Sequence, residues 1–332
     1  MTLRIVTPGL FTTVQDLGRV GYQREGVPAG GAMDRLALRV GNLLVGNDEG
    51  DAALETTLLG PAIGFDEETL IAVTGADSGV TVDGHPVAPY HPALVRAGAT
   101  LHCSREIRGC RTYVAIAGGV DVPPVFGSRS TYVRAGFGGC DGRALRAGDV
   151  LPLGEPGALS QRIARSLRAD GQTLRVAAWS AARALRARRA DRAVVRLIPG
   201  AHLERLDADS RARLFEAEFR VSASSDRMGY RLDGVELALR EPLELLSEAV
   251  VFGTMQLPPD GHPIILMADR QTTGGYPRLG EVASVDLPVV AQARPGDVLR
   301  FRAISLEEAQ HAYLLRHAEL AQARVAISLT GI

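Results

Sequence analysis

Arg294-Pro295-Gly296-Asp297-Val298-Leu299 runs on into Arg300-Phe301-Arg302. A glycine-centred turn followed by alternating apolar and charged residues is the pattern of a half-buried β-strand. The same pattern stands at Arg96-Ala97-Gly98-Ala99-Thr100-Leu101 and at Arg146-Ala147-Gly148-Asp149-Val150-Leu151. Outward from these stretches, other short β-branched or alternating runs occupy Leu70 to Thr74, Arg111 to Ala117, Val194 to Ile198, Glu216 to Val221, Ala249 to Phe252 and Ile264 to Met267. Turn signals separate them every ten residues or so, a rhythm of all-β barrels or sandwiches rather than of βαβ units.

Other fragments recur in the same order. Arg4-Ile5-Val6-Thr7-Pro8-Gly9 resembles Arg196-Leu197-Ile198-Pro199-Gly200, and Asp83-Gly84-His85-Pro86 returns as Asp260-Gly261-His262-Pro263. Arg19-Val20-Gly21-Tyr22 resembles Arg227-Met228-Gly229-Tyr230. Kept order with drifting spacing predicts two related β domains with different loop insertions. The expected division is a first β-barrel over 1–158, an Arg/Ala-rich linker over 159–192, a second barrel over 193–304, and a C-terminal helix and tail over 305–332. Helices are few. Met33, Leu36, Ala37, Val40, Leu43 and Leu44 follow helical spacing, with Arg35, Arg39 and Asn42 on the other side. His202 to Leu214 is a second candidate, and Ser305 with Glu308 forms a capping-box pattern before the tail helix.

The chain has 332 residues, 46% hydrophobic and 23% charged, which is enough for a packed core. Its net charge of −1 gives no global reason to expect nucleic acid or an anionic membrane as a partner. All 37 basic residues are arginine, and lysine does not occur. Chemistry that needs an ε-amine on this chain is therefore excluded: a Schiff base, a Walker A lysine or a biotinylated lysine. Nine arginines between Gln161 and Arg192 face only Asp170 and Asp191. Without interleaved aromatics that stretch reads as a solvated linker or connecting helix rather than an RNA surface. Three cysteines form no C-x-x-C pair, the start shows no signal-peptide h-region, and no apolar run is long enough to span a membrane; a reducing cytoplasm is the expected setting. The scattered histidines offer no metal set.

Three polar, glycine-dense segments are candidate sites. The first runs from Thr12 through Gln15, Asp16, Gly18 and Arg19 to Tyr22, followed by Gly30-Gly31-Ala32-Met33-Asp34. That helix start could receive an anion, or Asp34 could simply cap it. The second, Ser225-Asp226-Arg227-Met228-Gly229-Tyr230, carries a guanidinium able to hold a carboxylate or phosphate and a phenol able to orient a carbonyl. Both Arg19 and Arg227 have the plainer alternative of pinning acidic residues within their own barrels. The third is the sharpest: the apolar Ile264 to Met267 leads into Asp269-Arg270-Gln271-Thr272-Thr273-Gly274-Gly275-Tyr276. A carboxylate, an amide, two hydroxyls and accessible backbone at a strand end suit a site on a rigid scaffold, with a β-bulge as the structural alternative. Cys140, in its glycine-rich loop, has no evident base and reads as a small buried residue.

Taken together with Gly118-Gly119-Val120-Asp121, Gly127-Ser128-Arg129-Ser130-Thr131 and Gln256-Leu257-Pro258-Pro259-Asp260-Gly261, these segments resemble the family of 5-oxoprolinase C subunits. That family is also called KipA or allophanate hydrolase subunit 2, within the biotin-dependent carboxyltransferases. The resemblance implies cyclophilin-like β-barrels and a bacterial cytoplasmic protein. It also implies a complex with the KipI-like B subunit and the A subunit, which cleaves 5-oxo-L-proline to L-glutamate at the expense of ATP. ATP could sit on a partner, and biotin would arrive on a carrier's lysine. The resemblance carries over Asp16, Arg19, Arg227, Tyr230, Asp269, Gln271, Thr272, Thr273 and Tyr276 as motif positions, and chemistry suggests their work. Arg227 or Arg19 would hold a carboxylate or phosphate. Tyr230, Gln271 and Tyr276 would contact substrate. Thr272, Thr273 and the Gly274-Gly275 backbone would donate to an oxyanion, and Asp269 or Asp16 would act as base or orienter. The alternatives are a carboxyltransferase acting on urea or a related amide, and a regulatory binding partner of a KipI-like kinase inhibitor.

Overall fold

The computed structural model describes residues 1–168, 171–181, 185–186 and 192–330. The chain divides into two compact units. The first comprises 1–19, 30–187 and 318–332, and the second 20–29 and 188–317.

The first unit is a ten-stranded sheet. Its strands are β1 (Thr2–Thr7), β2 (Phe11–Gln15), β3 (Ala53–Thr57), β4 (Ala62–Phe65) and β5 (Thr69–Val82), then β6 (His85–Pro86), β7 (Pro92–Val95), β8 (Thr100–Ile116), β9 (Val150–Pro152) and β10 (Leu174–Val176). They pair in the order β10-β7-β5-β8-β4-β1-β9, with β2 on β3, β3 on β8 and β6 on β5. One face buries Leu3, Ile5, Val14, Leu54, Phe65, Val114 and Leu151. The other packs against α1 (Arg35–Leu44), α2 (Ala158–Leu167) and the end of the tail helix through Leu36, Val40, Leu44, Ile163, Leu320 and Ile327. Each such side chain contributes about 1.5–3 kcal/mol when fully withdrawn from water.

The second unit contains a closed barrel in the order β11-β18-β15-β16-β13-β12-β19. Its strands are β11 (Arg192–Pro199), β12 (Phe219–Val221), β13 (Gly229–Asp233), β15 (Thr254–Gln256), β16 (Ile264–Leu266), β18 (Arg278–Val282) and β19 (Val298–Ala303). Parallel pairing of β11 with β19 closes it. Alternation buries Leu197, Phe219, Val221, Leu232, Met255, Ile265, Leu279, Leu299 and Phe301. Outside the barrel, β14 (Glu248–Ala249) and β17 (Thr273–Gly274) make a small two-stranded sheet. The remaining helices are α3 (Ala208–Glu216), α4 (Leu287–Ala291) and α5 (Leu306–Ser328).

The three repeated turns adopt one conformation. Ala99, Asp149 and Asp297 donate their N–H to the carbonyls of Arg96, Arg146 and Arg294, and the glycines have φ of 82°, 89° and 95°. Each glycine N–H then donates to a neighbouring strand, at Phe65, Ile5 and Val221, and each of those residues donates back to the turn's last carbonyl. Only glycine takes the third position of such a turn without strain.

Several expectations need correction. Glu216 belongs to α3, and Val250 to Phe252 leave the strand because Val251 N–H donates to the Thr254 hydroxyl. The helix expected over His202 to Leu214 is a 3₁₀ turn (Leu203–Arg205) followed by α3, whose cap Asp207 accepts from Ser210 N–H. Asn42 is buried rather than solvated, its Nδ2 donating to the carbonyls of Glu49 and Asp51. Within the expected linker, α2 and β10 are ordered elements of the first unit, β10 pairing with β7. Arg183, Arg188, Arg189, Asp170 and Asp191 lie outside the described residues. The tail helix starts as expected: Ser305 N–H donates to Glu308 Oε2 at 2.8 Å, and Glu308 N–H to Ser305 Oγ at 3.1 Å.

Candidate functional site

The Asp226-Arg227-Met228-Gly229 turn precedes β13. Asp226 Oδ1 accepts the N–H groups of Met228 and Gly229 at 2.7 and 3.2 Å, the local bonding typical of an Asx turn. The turn brings Arg227 alongside the chain leaving β16, where Asp269 N–H donates to the Arg227 carbonyl at 2.8 Å. Arg227 Nε and Nη2 then grip Asp269 Oδ2 and Oδ1 at 2.8 and 3.0 Å. Both side chains are buried, and each is the other's hydrogen-bonded partner. Arg270 is buried beside them, donating from Nη1 to the Met267 carbonyl and lying over the Phe252 ring.

Beyond this anchor the chain emerges. Gln271, Thr273 and Tyr276 are exposed, Tyr276 at 46%, while Thr272, Gly274 and Gly275 are half-buried. The loop hangs on β14: Glu248 pairs with Gly274 and Ala249 with Thr273, and Val250 N–H donates to the Thr272 carbonyl at 3.1 Å. Beneath it, buried Gln256 donates from Nε2 to the Tyr276 carbonyl at 3.3 Å. A Cβ on Gly274 would stand 2.6 Å from that same nitrogen, so a larger residue here would push the Gln256 amide aside.

A polar group that sequence reading passed over lies on the strands below. The Thr254 hydroxyl donates to Glu281 Oε2 at 2.8 Å, and Arg278 Nη2 pairs with Glu248. Burial pushes the Glu281 carboxyl up, opposed by the Thr254 hydrogen bond and by the charges of Arg278 and Arg270. Burial and Arg278 push His202 down, and its Nδ1 accepts the Arg278 N–H at 3.0 Å. The available signal was the pair of charged residues Arg278 and Glu281, in the short run that follows Gly274-Gly275-Tyr276-Pro277.

Not every expected residue joins this group. Tyr230 is buried, its hydroxyl donating to the Ala293 carbonyl at 3.3 Å, because β13 alternates Tyr230 and Leu232 inward and Arg231 outward. Asp16 and Arg19 belong to the first unit. Asp16 is buried and accepts from Gly18 N–H, Arg129 N–H and the Ser128 and Ser130 hydroxyls. It thereby clamps Gly127-Ser128-Arg129-Ser130-Thr131 to the end of β2. Arg19 is fully buried, donating to the Ser130 and Val125 carbonyls and stacking over Phe137 at 4.9 Å. The expected acidic partner is found for Arg227 in Asp269, whereas Arg19 is held by these backbone carbonyls and the Phe137 ring.

The Gly30 to Asp34 segment is also internally engaged. Met33 N–H donates to Glu55 Oε2 at 2.9 Å, Asp34 N–H to the Tyr113 hydroxyl at 2.8 Å, and Ala37 N–H to Asp34 Oδ1 at 2.9 Å. Tyr113 in turn donates to Glu55, and burial first, then Glu55 and Asp34, push its hydroxyl well up. A helix start whose donors face a buried carboxylate does not fit a nucleotide phosphate. Cys140 has its thiol pushed up by burial and by Asp149, the opposite of an activated nucleophile. Two grooves, of about 330 and 370 Å³, lie in the first unit, and no residue of the Gln271–Tyr276 loop lines either. Among the described residues, no group of three or more His, Cys, Asp or Glu could hold a metal, and no helix is long and apolar enough to cross a membrane.

Residues 25–303 match the model of the carboxyltransferase domain, subdomains A and B. The chain belongs to this family. Within it, the chain is 41% identical to the 5-oxoprolinase C subunit of Haemophilus influenzae, covering 90% of this chain and 89% of that one. It is 39% identical to the 5-oxoprolinase C subunit of Escherichia coli K12, over 93% and 94% of the two chains. Urea amidolyase of Saccharomyces cerevisiae is 33% identical, with the match spanning 93% of this chain but 17% of that much longer protein. The crystal structure of the Kluyveromyces lactis urea amidolyase superposes with a TM-score of 0.87 at 29% identity, covering 97% of this chain and 20% of that one.

Proposed function

We propose that this carboxyltransferase-family chain is the C subunit of an ATP-dependent 5-oxoprolinase, a cytoplasmic complex with A and B subunits that opens 5-oxo-L-proline to L-glutamate. The observation that carries this reading is the near end-to-end similarity to two proteins of that name, at 41% and 39% identity. A lactam is a poor electrophile, so the site must polarise the amide and hold the α-carboxylate in place. In the second unit, Gln271, Thr272, Thr273 and the Gly274-Gly275 backbone are the donors offered to the amide oxygen. Tyr276 provides a face at the loop's end. Asp269, held by both oxygens on Arg227, serves as orienter of the loop rather than as a base. Asp16, with four donors, does the same for the Ser128–Thr131 segment. No phosphoryl step is assigned to this chain, and without lysine it carries no covalent biotin.

The test is reconstitution with the A and B subunits, following glutamate and phosphate release from 5-oxoproline and ATP. Thr272→Ala/Thr273→Ala is expected to lower turnover at least tenfold, with unfolding temperature unchanged, since each lost oxyanion donor typically costs that or more. Wild-type turnover by this variant would refute the assignment of the loop.

A second reading has its own support. The family is named for carboxyl transfer, and urea amidolyase shares the fold at a TM-score of 0.87. On that reading the same loop stabilises a deprotonated urea-like amide that accepts carboxyl from a carrier's biotin. Supplying carboxybiotin without ATP, and ATP without biotin, separates the two activities.

A further inference from the structure

We propose that Glu281 is a positioning residue for the Gln271–Tyr276 loop, acting through Thr254 and the segment Glu248–Phe252. This rests on the reading of that loop as the substrate-binding element. Glu281 lies on β18 directly opposite Thr254 on β15. Its Oε2 accepts the Thr254 hydroxyl proton, and the same hydroxyl oxygen accepts the Val251 N–H at 3.0 Å. One residue earlier, Val250 N–H donates to the Thr272 carbonyl, and Ala249 and Glu248 form the β-pairs with Thr273 and Gly274. Hydrogen bonds linked through the Val250–Val251 backbone therefore connect the Glu281 carboxylate to the segment that pairs with Thr272 and Thr273.

Two cations strengthen the same anchorage. Arg278 pairs with Glu248, Arg270 Nε reaches the Val250 carbonyl at 3.5 Å, and both guanidinium charges act on Glu281. The carboxylate thus offsets two cations that also grip the overlying segment. A half-buried anion in this position costs desolvation, which a purely scaffolding contact between two outer-face strand residues would not require. What it supplies is one fixed arrangement of the segment that carries Thr272 and Thr273.

Glu281→Ala and Glu281→Gln separate charge, hydrogen bond and fold. The amide oxygen of Gln still accepts from Thr254, whereas Ala removes the acceptor. In the full chain, Glu281→Ala is expected to raise hydrogen exchange at the Val250 and Val251 amides about tenfold while barrel amides of β13 and β16 stay protected, the mark of local opening. Glu281→Gln is expected to restore most of that protection, and Thr254→Val to match Glu281→Ala. In the reconstituted complex, Glu281→Ala should lower kcat about tenfold, with Glu281→Gln recovering it. Unchanged exchange in Glu281→Ala overturns the proposal, as does a fall in kcat without loosening of the segment. If the wild-type complex does not turn over 5-oxoproline, the functional reading fails and the exchange measurement alone decides the positioning role.

Discussion

Arg227 and Asp269 illustrate how much a single pair can hold. Two hydrogen bonds join them out of solvent, so removing one partner strands a buried charge. Arg227→Ala should cost about 3–5 kcal/mol in denaturant unfolding, while Arg227→Leu/Asp269→Leu should fall much closer to wild type. Gly274 makes a different kind of demand. An alanine there meets the Gln256 amide at 2.6 Å, and that flexible group would swing off the Tyr276 carbonyl. Gly274→Ala is expected to cost only about 1 kcal/mol, the worth of one hydrogen bond, yet to reduce turnover of the complex severalfold. The motif containing both residues of the Arg227–Asp269 pair was visible in the sequence, but their mutual bond was not. They stand 42 positions apart, and strand pairing alone brings them together.

At the scale of elements, the Arg-x-Gly turns were legible because their chemistry is local. An i to i+3 bond and a left-handed glycine need only four residues, and the three copies adopt one geometry before β8, β9 and β19. Two of them add an aspartate: Asp149 Oδ2 accepts the Arg146 N–H at 2.7 Å, and Asp297 Oδ2 the Arg294 N–H at 2.9 Å. The Arg143 hydrogen bond, with the Arg146 N–H, holds the Asp149 carboxyl below the usual carboxylate range. A depressed native value means stability that is present above the unfolded value and lost as pH falls through the native one. Asp149→Asn should therefore lower the unfolding temperature at pH 7, and its difference from wild type should shrink steadily in acid. The Arg19/Tyr22 and Arg227/Tyr230 likeness was less informative. Tyr230 lies in β13 and points inward, while Tyr22 precedes a 3₁₀ turn and is exposed, so similar letters sit in different local structure.

For the whole molecule, the absence of lysine has a direct consequence. Incubation with biotin ligase, biotin and ATP should leave this chain without added biotin by intact-mass measurement, while a carrier protein in the same tube is labelled. Composition, turn rhythm and short-range patterns by themselves determined a mainly β chain in two parts, the helix over Met33 to Leu44, the capping box at Ser305, and the loop that follows Ile264 to Met267. These follow from periodicity and from interactions that span a few residues. Only the tertiary structure decided that one part is a ten-stranded sheet and the other holds a closed barrel, that Asp16 and Arg19 are buried clamps, and that Glu281 is linked through Thr254 to the segment pairing with Thr272 and Thr273. Burial and charge pairing depend on which strands become neighbours and in what register. Partners such as Asp16 and Ser130 lie 114 residues apart, a separation over which no local pattern can select a partner.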